Sequence, residues 1–413
     1  QGYADTVVRF DYEKDAEAGS LTLTADVRES DVVYVGDVRI DLETYDYDFE
    51  LSAVEKFIDW MSPGVKEETI RREVTLQPGE KFRTAEEVRT LRRLRNLGFL
   101  KEADIRRVPT SDPNVNDVIV DVEEHTNAGY IAATAGVGQI TGFTVGLSYV
   151  NPNLFGEAKV LRIGTVLGSE VRSFGASYLD RHFFGQDKSL ELGAFRDYFR
   201  FPDYAQRGYG TYAEAGVPLD DRDEIRGYLR PRLEHVRLER RDEDLVEDME
   251  SYVVAALRGT IVTDRRNSLR WTTEGYTHTW GLEAGYARKS MAKFLHSLTW
   301  FRSLDRREQW VYHYGHSLGL MPYEAQRIGI SERLFAGGTS TLRGFSARGI
   351  GPRDPGEAGA HVGGSTLIAQ RHEIRRRFTD FMWGRLFVDA AVLEEKFAEW
   401  GDPRVGTDRK SVV

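Results

Sequence analysis

From residue 129 onward, apolar and polar side chains take turns with a period of two. In Phe143–Val150, Val145, Leu147 and Tyr149 alternate with Thr144, Gly146 and Ser148. In Thr279–Tyr286, Trp280, Leu282, Ala284 and Tyr286 alternate with Thr279, Gly281, Glu283 and Gly285. Trp310–Leu320 and Gly384–Val392 repeat the pattern. Such alternation predicts β-strands with two unlike faces. One face is apolar with aromatic ends; the other is small, polar or charged and rich in glycine. A soluble sandwich also alternates, but its polar face is solvated and seldom so rich in glycine. A membrane barrel sets the apolar face against lipid and the polar face against a wet lumen. It must close, because an open edge in hydrocarbon leaves backbone groups unpaired. The chain holds about fourteen such segments, inside the range of natural barrels, and Trp and Tyr at their ends suit an interfacial girdle.

The residues before this region have a different texture. Asp31–Asp41 alternates like a strand, Thr69–Val74 is a short helical candidate, and Thr84-Ala85-Glu86-Glu87 reads as a capping box. Val88, Leu91, Leu94 and Leu97 then form an apolar stripe that ends at Gly98, a C′ glycine. Ala103–Val108 and Asn116–Glu123 read as strands. Residues 30–126 are therefore expected to be a β-α-α-β-β unit, with Leu42–Pro63 as an acidic, aromatic insertion. Residues 1–29 repeat the last part of that unit: Gly2-Tyr3-Ala4 matches Gly98-Phe99-Leu100, and Thr6–Asp11 and Ser20–Val27 match its two final strands.

Composition agrees with this division. Glycine, at 40 of 413 residues, exceeds the usual share of about 7%. Aromatics reach 11%, and mean hydropathy is only −0.46. No apolar run reaches the length of a membrane helix. Cysteine is absent, which excludes disulfides and thiolate metal sites and suits an oxidising envelope compartment. The formal charge of −10 leaves no excess of cations for nucleic acid. The start, Gln1-Gly2-Tyr3, has no signal-peptide pattern, so an exported protein with this beginning is expected to lack its true N-terminus.

Catalytic motifs are not found. Gly136-Val137-Gly138 with Gly142 precedes a strand and has no Walker lysine after it; there is no nucleophile elbow and no histidine pair with metal spacing. His313 and His316 are expected on opposite strand faces. The charge run Arg237–Ser251 reads as a solvated strand extension or an extracellular loop. The expectation is no enzyme, no cofactor and no metal. The informative segment is Phe335–Phe345, FAGGTSTLRGF, followed by a Gly/Pro-rich tract to Gly364: a long loop between two alternating strands. An arginine buried in a lumen needs carboxylate or aromatic partners. Two later strands offer such partners on their inward faces, Glu373 on one and Phe387 with Asp389 on the next; an ordinary surface hairpin fits the spacing equally well.

These residues resemble a known family. Leu342-Arg343-Gly344-Phe345, with Gly337-Gly338 before it, is similar to the arginine loop motif of the BamA-type outer-membrane assembly proteins. Thr69–Glu73 with Gly79-Glu80, then Leu94–Phe99, resembles the POTRA domain next to their barrel. Asn151-Pro152-Asn153-Leu154-Phe155-Gly156 resembles their early strand and turn. The resemblance implies a sixteen-stranded barrel behind periplasmic POTRA modules. It also implies an inward-folded loop whose arginine, Arg343, meets Glu373, Phe387 and Asp389. For function it implies assembly and insertion of β-barrel proteins into the bacterial outer membrane. The partners implied are membrane lipid, unfolded outer-membrane clients, accessory lipoproteins and periplasmic chaperones. A two-partner-type secretion pore of the same superfamily, or a passive porin, is the alternative. The first barrel strand is expected at Gly129–Gly138. The family's C-terminal aromatic signal is missing from Asp408–Val413, so residues 127–413 are expected to lack the last two strands.

Overall fold

The computed structural model describes residues 7–15, 20–28, 32–44, 60–125, 129–185, 187–220, 224–241, 243, 249–268, 271–356, 359–379 and 382–397. The chain forms two compact units: residues 1–130 with 150–161, and residues 131–149 with 162–413.

In the first unit, β1 (Val7–Asp15) and β2 (Ser20–Arg28) make an antiparallel hairpin. A three-stranded sheet follows from β3 (Tyr34–Glu43), β4 (Leu100–Pro109) and β5 (Val115–Glu124), with helices α1 (Glu67–Arg71) and α2 (Thr84–Arg95) between β3 and β4. The chain order is the expected β-α-α-β-β. β5 is central, parallel to β3 and antiparallel to β4. The period-two pattern of β5 buries Val118, Val120 and Val122 against Val35, Ile70, Phe82, Leu94, Leu97 and Phe99. Each of these side chains contributes about 1.5–3 kcal/mol by leaving water. Most of the Leu42–Pro63 insertion, residues 45–59, lies outside the described residues, as does Gly2-Tyr3-Ala4.

Two local expectations are corrected. The cap of α2 is Arg83, not Thr84, and no side chain caps the helix. Phe82 is buried and its N–H donates to Val33 O, and this docking of the chain sets where the helix begins. Val88 is largely exposed; Thr90 takes its place inside, bonded to Thr75 Oγ1 at 3.0 Å. The inward stripe is therefore Thr90, Leu94 and Leu97. Gly98 takes the expected left-handed φ of 79° shortly after the C-cap Asn96.

The turn at residues 150–161 also belongs to this unit. Gly156 O accepts from Lys66 N (3.0 Å) and Thr69 Oγ1 (2.9 Å). A Cβ on Gly156, whose φ is 72°, would lie 2.6 Å from Gly64 O, so only glycine fits. Glu124 is buried and accepts from Val65 N (2.9 Å) and Asn153 Nδ2 (2.8 Å), while burial pushes its carboxyl up. Glu157 goes the other way: Lys159 and Lys66 hold its carboxyl down at about 2.

The second unit is built on a sheet of 13 strands in which each pairs with its sequence neighbours. They are β6 (Tyr130–Gly138), β7 (Gly142–Leu154), β8 (Lys159–Gly168), β9 (Val171–Asp180), β10 (Ser189–Arg200), β11 (Tyr204–Pro218) and β12 (Ile225–Arg240). They continue as β13 (Tyr252–Asp264), β14 (Gly275–Ala287), β15 (Lys289–Ser303), β16 (Trp310–Leu320), β17 (Thr366–Arg377) and β18 (Trp383–Glu394). Thirteen strands are found among the described residues, close to the expected count of about fourteen; residues 398–413 lie outside them. The first strand begins at Tyr130, close to the expected Gly129. Residues 242 and 244–248 of the Arg237–Ser251 run also lie outside, after β12 has carried it as far as Arg240.

Burial in this sheet is inverted relative to a soluble protein. Glu283 is 0% exposed and Lys293 6%, whereas Leu282 is 62% exposed and Leu386 78%. Glu283 and Leu282 are adjacent on one strand, so the division is between faces, not regions. Charged groups turn inward and bare apolar groups outward, as a barrel in hydrocarbon requires. Adjacent hairpins alternate between the two ends, so the turns β7–β8, β15–β16 and β17–β18 share the end at which the chain enters the sheet.

Candidate functional site

Residues 321–365, between β16 and β17, fold inward instead of leaving the sheet. The strand-like bridges Leu334–Gly364 and Ala336–Ile350 give this segment its own frame. At its tip, Thr341 Oγ1 pairs with both backbone groups of Gly337, and Leu342 N donates to Gly338 O at 3.1 Å. Gly337 has φ 104°, and a Cβ there would meet Ser346 O at 2.3 Å. The tip can therefore be this tight only with glycine at that position.

The tip presents Arg343 to β17 and β18. Its guanidinium grips Asp389 as a fork, Nε to Oδ2 at 2.7 Å and Nη2 to Oδ1 at 2.6 Å. Its backbone N–H also reaches Asp389 Oδ2, at 3.1 Å. Nη1 donates to Glu373 Oε1. The guanidinium carbon lies 3.6 Å from the centroid of the Phe387 ring. Strand register explains why these partners converge: Glu373 and Phe387 are directly opposite across β17–β18, and Asp389 is the next inward residue along β18. All four groups named from the sequence thus meet at one point. Leu342 is buried behind the arginine, Phe345 closes the tip through its carbonyl to Gly338 N, and Gly344 is exposed with φ 88°.

The site is larger than the sequence suggested. Glu373 also accepts from Arg375 Nε (2.8 Å) and lies 3.2 Å from His313 Nδ1 on β16. The tether therefore draws on three adjacent strands. His316 stands on the opposite face of β16 from His313, paired across to Gln370.

A second anchor was not foreseen. Glu332, at the root of the loop, accepts from Arg232 on β12 (2.6 Å) and from Lys293 on β15. Arg232 also donates to Glu283 on β14 (2.8 Å), which in turn accepts from Arg258 on β13. Nearby, Arg348 donates to Tyr204 OH at 2.7 Å and lies 4.1 Å from the ring centroids of both Phe201 and Phe335. A single glutamate in a glycine-rich strand, Glu283 in Thr279–Tyr286, was the available signal; Glu332 joins its network only through Arg232 and Lys293, too distant in sequence to be paired by eye.

The lumen is also less wet than expected. Loop residues Met321, Ile328, Ile330 and Val362 form an apolar cluster with the inward side chains Val236, Leu238, Tyr252, Val254 and Met291. The loop is thus a partial plug held by packing as well as by charge. Beside it lies a cavity of about 240 Å³ lined by Arg258, Thr260, Thr279, Ser297 and Ser317 among others. Among the described residues no group of three or more metal-ligating side chains has metal-binding geometry. A guanidinium between two carboxylates is a positioning device: it holds the loop against the edge pair of the sheet.

Comparison with known proteins follows the same division. The Omp85 superfamily domain model matches residues 153–407, and a POTRA model, described as a surface antigen variable number repeat, matches residues 62–125. The outer membrane protein assembly factor BamA of Nitratidesulfovibrio vulgaris is 22% identical over 373 residues, 89% of this chain and 44% of its own length. A putative outer membrane protein assembly factor of Treponema pallidum is 32% identical over 130 residues, 30% of this chain and 15% of its own. The chain therefore spans less than half the length of these curated relatives. Among solved structures, BamA from Haemophilus ducreyi lacking POTRA domains 1–3 matches with a TM-score of 0.64 at 17% identity, covering 95% of this chain and 78% of that one. CdiB from Acinetobacter baumannii matches with a TM-score of 0.55 at 11% identity, covering 97% and 70%. At such identities the likeness is one of fold.

Proposed function

This chain belongs to the Omp85 superfamily, an outer-membrane β-barrel with its POTRA module in the periplasm, and on that premise we propose that it assembles and inserts other β-barrel proteins into that membrane. The reading takes the β1–β2 hairpin as the end of a preceding POTRA module.

The observation that carries it is the first strand of the sheet. Among the described residues β6 pairs only with β7, which leaves its other side as an edge. β6 is Tyr-Ile-Ala-Ala-Thr-Ala-Gly-Val-Gly, a strand with little side-chain mass to hold a partner. An edge with free backbone groups is a template for a further strand, and inside hydrocarbon the demand for pairing is several kcal/mol per group. A client hairpin satisfies it. In the periplasmic module β3 and β4 are likewise sheet edges, able to hold an extended client by strand addition. Burial of client side chains in lipid drives the process, so neither catalysis nor a cofactor is invoked. Accessory lipoproteins and periplasmic chaperones are the partners such delivery calls for.

The rival is a secretion pore, which the shared barrel fold also accommodates. A passive porin does not account for the periplasmic module. Depletion of the full-length protein, followed by quantitation of unrelated outer-membrane barrels, separates the readings. The expected result is a broad fall in those barrels. Normal barrel levels with the loss of one exported protein would transfer the case to the secretion pore.

A further inference from the structure

On the outward face of β15–β17, at the periplasmic end, cations and aromatic rings interleave. Lys293, His313 and Glu373 are buried inward at odd positions, so even positions on these strands face out. There stand Arg302, Trp310 and Arg376, with Trp310 directly opposite Arg376. The guanidinium of Arg376 lies 4.8 Å from the centroid of the Trp310 ring and 5.1 Å from that of Phe378. The β15–β16 turn adds Arg306 and Arg307. All four arginines are exposed, and none forms an ion pair with a carboxylate among the described residues. The two acidic residues of the turn are otherwise engaged: Asp305 accepts from Trp310 N (2.8 Å) and Glu308 from Thr273 Oγ1 (2.9 Å).

We infer that this patch binds the phosphate headgroup of an anionic phospholipid in the periplasmic leaflet. Trp310 and Phe378 belong at the boundary between headgroups and hydrocarbon. A guanidinium fork matches two phosphate oxygens, which an ammonium on a flexible stem does not. A zwitterionic headgroup brings its own ammonium, which the arginines repel; a phosphodiester with a neutral substituent has no such opponent. In a chain of formal charge −10, four arginines in one place without a carboxylate partner among the described residues mark an exception, and complementarity names the occupant. The inference rests on the outer-membrane location alone, not on the insertase reading.

The test uses the full-length protein in vesicles of phosphatidylethanolamine mixed with phosphatidylglycerol, extracted and examined by native mass spectrometry for retained lipid. Phosphatidylglycerol is expected to be enriched over its share in the vesicle, and the enrichment to fall with added salt. Removing the arginines together (R302Q, R306Q, R307Q, R376Q) is expected to weaken retention by roughly fivefold per arginine. The matching Arg→Lys set keeps the charge and is expected to retain part of the enrichment. Because the wild-type comparison and its salt dependence need no variant, poor folding of the glutamine set leaves the inference testable. Equal retention of both lipids by the wild type would overturn it. So would unchanged enrichment in a folded glutamine variant, or a preference for lipopolysaccharide over phosphatidylglycerol.

Discussion

Reversing the charge of Arg343 is expected to loosen the barrel and impair the assembly of client proteins. R343E sets a third carboxylate beside Glu373 and Asp389, both at most 5% exposed. Breaking a buried pair by removing one partner costs about 3–5 kcal/mol, and reversal adds repulsion to that loss. R343K keeps the charge but loses the fork on Asp389 and the stacking on Phe387; about 1–3 kcal/mol is expected. Heat-modifiable mobility on gels, which reports barrel unfolding, checks both. The temperature at which the folded band disappears should fall most for R343E and less for R343K. Combining R343E with D389N or E373Q should restore part of the shift, because each removes a repelling charge. Wild-type mobility and growth for R343E would show that the loop contact contributes nothing.

Loss of Glu332 is expected to have the second-largest effect, at the root of the same loop. Its carboxylate is shared by Arg232 and Lys293, and without it the second cation keeps only Glu283, at 3.7 Å. E332A should therefore cost about 3–5 kcal/mol as well, and leave the loop open to added protease. Replacing both partners with apolar side chains of similar volume, E332L with K293M, should recover most of the stability, because no unpaired charge is then left buried. If E332A resists protease and heat like the wild type, the apolar cluster of Met321, Ile328, Ile330 and Val362 and the Arg343 tether hold the loop without Glu332. The two anchors grip one loop, so their losses together should not be additive.

Much of this was legible from residue order, for identifiable reasons. Dyad alternation is a local signal and marks strands without knowledge of their partners; Leu386–Asp389 alone tells which residues face Arg343. A meander adds to this, since each strand pairs with the next and register follows from short turns. The POTRA core was readable from Leu94, Leu97 and the valines of β5. What escaped reading depends on distant contacts. Val88 fits the helical stripe, yet Thr75 across the module selects Thr90 for the interior. Arg83 caps α2 because Phe82 is pinned to Val33. Glu332 meets Arg232 a hundred residues away, a pairing that no spacing rule suggests. The turn at Asn151–Gly156 is similar in kind: its glycine and asparagines read as a turn, but only the fold shows them seated on Thr69 and Glu124.

The claim beneath all of this is that successive side chains of the strands face lipid and lumen in turn, with the arginine loop on the lumen side. The chain contains no cysteine, so single cysteines report cleanly. The most direct measurement places them one at a time at Leu386, Phe387, Val388 and Asp389 of β18 in the membrane-embedded protein. Each is then treated with a water-soluble maleimide and, separately, with a lipid-confined one. The account predicts that positions 386 and 388 react only with the lipid-confined reagent, and that 387 and 389 react only with the water-soluble one, more strongly when R343A loosens the loop. Labelling of all four by the water-soluble reagent, or no response of 387 and 389 to R343A, would contradict it.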